Sequence, residues 1–133
     1  MLRRPLAGAL LLLALTSLPT LPAHADPADG SSVSPMVQAD GGCTGPSTWV
    51  LVGKHVDGTL RIRYVIRGGK EGQKWNVFLS DNGTGFFAHA RTSHAGGKVV
   101  VTTETPDLTG KDKISAGANN VPTGESCGGH IAL

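Results

Sequence analysis

Residues 59–83 read TLRIRYVIRGGKEGQKWNVFLSDNG, and this stretch decides the fold. From Thr59 to Arg67 the residue types alternate: Leu60, Ile62, Tyr64 and Ile66 fall on one side of an extended backbone, Arg61, Arg63 and Arg67 on the other. A period of two marks a strand with one buried face and one wet face. Gly68-Gly69 ends the run, and residues 74–80 resume it with Trp75, Val77 and Leu79 in phase. Asp81-Asn82-Gly83 follows. Asn-Gly accepts the positive φ of a type I′ turn, so it predicts a tight hairpin.

The same pattern extends in both directions. Residues 48–55 predict a first strand. After the hairpin, residues 85–91 predict a strand with Phe86, Ala88 and Ala90 inward and Phe87, His89 and Arg91 outward. Ala95-Gly96-Gly97 turns the chain into the β-branched run 98–104, and residues 106–110 form a loop. Ile114, Ala116 and Ala118 share one side of the next strand. Pro122-Thr123-Gly124 turns into a last strand with Cys127, Gly129 and Ile131 in phase. Seven short strands separated by turn signals, with no helical period, predict an all-β domain: a two-sheet antiparallel sandwich, with a small closed barrel as the alternative.

The N-terminus has a different character. Arg3 and Arg4 precede an apolar run from Leu6 to Leu15, and Ala23-His24-Ala25 is a small-x-small cleavage site. Residues 1–25 are therefore expected to be a signal peptide, too short and too close to Pro19 and Pro22 to remain as an anchor. Arg3-Arg4 leaves the general and twin-arginine export routes both open. Removing the signal leaves 108 of the 133 residues and takes away two of the twelve basic side chains, so the mature chain balances ten basic against ten acidic residues. A neutral protein has no global field to gather nucleic acid or anionic membrane. Residues 26–42, rich in Asp, Pro, Ala, Gly and Ser, are expected to be a flexible leader, and residues 43–133 the folded domain. In an exported chain the two cysteines, Cys43 and Cys127, are expected to pair and to join the first strand to the last.

Three segments carry a resemblance: Trp75-x-Val77-x-Leu79-x-x-Asn82-Gly83, Gly110-x-Asp112-x-Ile114-x-Ala116-x-Ala118, and Thr123-Gly124-Glu125-x-Cys127. Over residues 43–133 the chain resembles small secreted immunoglobulin-like proteins of actinobacteria. The resemblance implies a seven-stranded antiparallel immunoglobulin-like β-sandwich, with Trp75 at the core position on the third strand. It implies no catalytic residue. The cysteines depart from the antibody pattern, because they lie at the chain ends and not on the second and sixth strands.

Several short motifs have plain structural readings. Gly124-Glu125-Ser126-Cys127-Gly128 matches G-x-S-x-G, but the nucleophile elbow needs a following helix, and the sequence runs on for only five residues after it. Gly83-x-Gly85-x-x-Ala88 opens a strand and not the helix a dinucleotide site requires. His55, His89, His94 and His130 show no metal-ligand spacing, so no metal and no cofactor are expected. Asn82-Gly83-Thr84 is a glycosylation sequon that the turn alone explains. Two features remain. Arg61, Arg63 and Arg67, with Lys70 and Lys74 nearby, offer a face to an acidic partner. Phe78 and Phe87, both out of phase with the expected core, form a candidate exposed apolar pair on one hairpin.

The sequence thus leads to a secreted, non-catalytic, monomeric binding module whose partner is an extracellular protein or a cell-wall polymer. The alternative is a secreted inhibitor of an extracellular hydrolase.

Overall fold

The computed structural model describes residues 34–133. The expected signal peptide, residues 1–25, and the start of the expected leader, residues 26–33, lie outside the described residues.

Eight strands form two four-stranded sheets. They are β1 (Val37–Gly42), β2 (Thr48–Val56), β3 (Thr59–Arg67), β4 (Lys74–Asp81), β5 (Thr84–Thr92), β6 (Val99–Pro106), β7 (Lys113–Asn120) and β8 (Ser126–Ala132). The first sheet has the order β1-β2-β3-β6 and the second β5-β4-β7-β8. Every pairing is antiparallel. Among the described residues the one helical element is a 3-10 turn at Ala95–Gly97, and none is long and apolar enough to cross a membrane.

The alternation in residues 59–67 is realised in β3, with Leu60, Ile62, Tyr64 and Ile66 buried and Arg61, Arg63 and Arg67 exposed. Trp75, Val77 and Leu79 face them from β4, and Trp75 is fully buried. One hydrophobic cluster draws on both sheets and includes Leu51, Val101, Ile114 and Ile131. Two-residue turns join β2 to β3 and β4 to β5. Asp57-Gly58 and Asn82-Gly83 all have positive φ, between 47° and 84°, the conformation that type I′ hairpins demand.

The domain has one strand more than the seven expected, because β1 lies inside the stretch taken as a flexible leader. Gln38, Asp40, Gly41 and Gly42 give it no apolar signal. It forms by backbone pairing with β2, from Val37 opposite Gly53 to Gly42 opposite Thr48. Its half-buried Val37 and Ala39 pack on the core. A methyl group on Gly41 would stand 2.9 Å from the Trp49 ring, so glycine lets the strand lie close there.

β1 also lies against β8 and closes one side of the sandwich. Gly129 on β8 sits directly under the Trp49 ring, and a side chain there would overlap it. The Cys43–Cys127 disulfide crosses the same seam, its Cα atoms 4.3 Å apart, and ties the first sheet to the second. A disulfide of this kind fits an oxidising compartment.

Phe86 packs on the core as expected, but the expected phase of β5 is overturned from Phe87 onward. The pairing of β4 with β5 shifts between Leu79 and Ser80: Leu79 stands opposite Phe87, but Ser80 stands opposite Gly85. The skipped residue is Phe86, a β-bulge, and one extra residue moves every later side chain to the other face. Phe87, His89 and Arg91 therefore share the face of Leu79, Val77 and Trp75, while Ala88 and Ala90 point outward. β5 is an edge strand, so its inward side chains stay half-buried or exposed.

Candidate functional site

The arginine face is built by the pleat of β3. On the outer side of the first sheet, Arg61 stands between Lys54 and Glu104, Arg63 between Val52 and Thr102, and Val65 between Val50 and Val100. Arg67 stands opposite Thr48. Arg61 Nε donates to Glu104 Oε1 at 2.9 Å. The two ion pairs among the described residues are this one and His55–Asp107. Arg63 and Arg67 are exposed and meet no carboxylate among the described residues. Val65, between them on the same face, is only 5% exposed. Val50 and Val100 flank it across the neighbouring strands. Lys70 and Lys74 do not join this face: Lys70 lies in the loop after β3, and Lys74 opens β4 in the other sheet.

Phe78 and Phe87 do not form a pair. Phe78 lies on the outer face of the second sheet, 49% exposed, with its ring over Gly117. Phe87 is on the inner face, opposite Leu79. It meets His89 edge-on with ring centroids 4.9 Å apart, and the Arg91 guanidinium lies 5.2 Å from its centroid. The bulge at Phe86 separates the two rings.

A cleft of about 450 Å³ opens at the disulfide end, between the loops 43–47, 68–73 and 121–125. Its lining includes Pro46, Lys70, Gln73 and Glu125. The walls are held by hydrogen bonds between loops. Ser47 N donates to Glu125 Oε1 at 2.7 Å, Ser126 N to Thr44 Oγ1 at 2.9 Å, and Asn120 Nδ2 to Gln73 Oε1 at 2.7 Å. Glu125 is 7% exposed and acts as a strut for the 43–47 loop. Cys43, Glu125 and Cys127 come within 4.8 Å of one another, but both sulfurs are spent in the disulfide, which leaves a single carboxylate donor. Ser126, the central residue of the G-x-S-x-G match, opens strand β8, and Gly85 lies within strand β5.

The opposite end holds a cluster that the sequence reading missed. Asp81 closes β4, Asp112 immediately precedes β7, and Asp107 follows β6. Asp107 Oδ2 is 2.7 Å from His55 Nδ1. Asp112 is 1% exposed and Asp81 6%. Burial first, and then the neighbouring Asp81 and Asp107 carboxylates, hold Asp112 above the usual carboxylate range. Asp81 lies 26 positions from both His55 and Asp107, so topology and not spacing brings these segments together.

No protein-family model matches the chain, and neither the curated proteins nor the solved structures give a match.

Proposed function

We propose that this protein is a secreted, non-catalytic binding module of the immunoglobulin-like sandwich type, and that the outer face of β3 docks an anionic cell-wall polymer. The observation that carries the reading is the state of Arg63 and Arg67: exposed, on one face, and without a carboxylate partner among the described residues. A strand advances about 3.4 Å per residue. Guanidinium groups at positions 61, 63 and 67 therefore form a row about 20 Å long, suited to a chain of repeated phosphates or carboxylates. Arginine binds such groups in a bidentate fork. The sheet fixes the backbone beneath them, so the entropy lost on binding is confined to the arginine side chains.

The test is co-sedimentation of the purified, oxidised protein with insoluble wall material that carries anionic polymer. Wild type is expected to sediment at low salt and to be released by NaCl. R63E/R67E is expected to stay in the supernatant with an unchanged melting temperature. Equal sedimentation of the two proteins would remove this site. Binding that survives stripping of the anionic polymer would point to a protein partner instead.

A further inference from the structure

The end of the sandwich away from the disulfide holds more buried negative charge than the chain itself compensates. Asp81 is in phase with Leu79 on β4, and Asp112 with Ile114 on β7, so both carboxylates point between the sheets. All four of their oxygens are closed to solvent, and none receives a hydrogen bond. The neighbouring Asp81 and Asp107 carboxylates add to burial in raising Asp112. Among the described residues, the base paired with a carboxylate of this cluster is His55 from β2, and it is engaged with Asp107. Lys111 and Lys113 flank Asp112 in the chain, but both are exposed, and neither forms an ion pair among the described residues.

Buried carboxylates without donors are among the costliest arrangements a fold can hold, and native proteins compensate them. Donors that are all oxygen, with excess negative charge, suit a hard divalent cation. Oxygens from Asp81, Asp107 and Asp112 do not all come within 4.8 Å of one another. The site is therefore placed on the buried, unpartnered pair Asp81 and Asp112, while Asp107 is engaged by His55. We propose that Asp81 and Asp112 bind a calcium ion that pins the end of β4 to the entry of β7. Calcium takes about six to eight oxygen ligands, so further oxygens complete its shell. Asn82 already holds the 107–112 loop in place, with Nδ2 donating to the Lys111 carbonyl and Oδ1 accepting from Lys113 N. The site is separate from the arginine face and does not depend on it.

With so few carboxylates, the affinity belongs to the weak extracellular class, a Kd of about 10⁻⁴–10⁻³ M. The test is the melting temperature of the purified, oxidised protein at pH 7.5, first in EDTA and then with free CaCl₂ up to 10 mM, with NaCl at matched ionic strength as control. At ten times Kd the ion multiplies the folded-to-unfolded ratio about elevenfold, which raises the melting temperature by several degrees. Titration calorimetry with CaCl₂ on wild type is expected to show one site. D81N and D112N are expected to lose both signals. A wild-type melting temperature that does not move with calcium, together with no calorimetric heat, overturns the proposal and leaves a proton shared by the two carboxyls as the compensating charge.

Discussion

Removing the disulfide is expected to cost this domain a large part of its stability. Cys43 and Cys127 are separated by 84 positions, so the bond closes nearly the whole described domain into one loop. In the chain-entropy account a loop of this size restrains the unfolded ensemble by about 4.6 kcal/mol. A domain of this length has a total stability of about 5–15 kcal/mol, so the loss is about a third of it or more. The variant to make is C43A/C127A. Serine at 127 would bury a hydroxyl, because Cys127 is 5% exposed, and an unpaired hydroxyl would add about 1–3 kcal/mol of unrelated cost. The assay is urea unfolding of both proteins, followed by tryptophan fluorescence from Trp49 and Trp75 and by far-ultraviolet circular dichroism. With an m-value of about 1–2 kcal/mol/M, the midpoint should fall by about 2–5 M. A fall below about 0.5 M with an unchanged m-value would refute the reasoning. It would mean that the β1–β8 seam holds equally well without its cross-link.

Three other outcomes follow from the same structure. G129A pushes a methyl group into the Trp49 ring and should destabilise the domain by about 1–3 kcal/mol in the same urea assay. G83A places a Cβ at a backbone φ of 84°; it should lower stability by about 1 kcal/mol in thermal unfolding, with the fold retained. The third concerns pH in the presence of a chelator. Asp112 is held above its ordinary range in the fold, so its ionised form opposes folding at neutral pH. Stability should then rise as pH falls through that raised value towards the ordinary carboxylate range, because the folded state takes up a proton before the unfolded state does. D112N should flatten that rise in a series of urea midpoints at fixed pH values.

What the sequence made legible was the part governed by local periodicity. β3 and β4 alternate cleanly because each has one face on the core and one in water, and Asn82-Gly83 supplies the φ values its turn needs. The disulfide could be read from the expected export and the count of two cysteines. β1 was invisible because a strand held by backbone pairing, with glycine beneath a tryptophan ring, needs no apolar alternation. β5 was read in the wrong phase because the bulge that absorbs Phe86 is set by its partner strand and leaves no mark in residues 85–91. That single residue also dissolved the Phe78–Phe87 pair. The arginine row was legible as a face, but the split of Lys70 and Lys74 from it depends on where the chain crosses between sheets. Asp81, Asp107 and Asp112 lie on three different segments, and only the strand order makes them neighbours.

The arginine face is tested most directly by amide chemical-shift mapping. ¹⁵N-labelled, oxidised protein is titrated with a soluble anionic wall polymer at low salt. The account predicts progressive shifts along β3 from Arg61 to Arg67 and in the facing segments of β2 and β6, reversed by NaCl and lost in R63E/R67E. Shifts confined to the cleft around Gln73 and Glu125, or to the Phe87–His89 edge, would contradict it and move the binding site off this sheet.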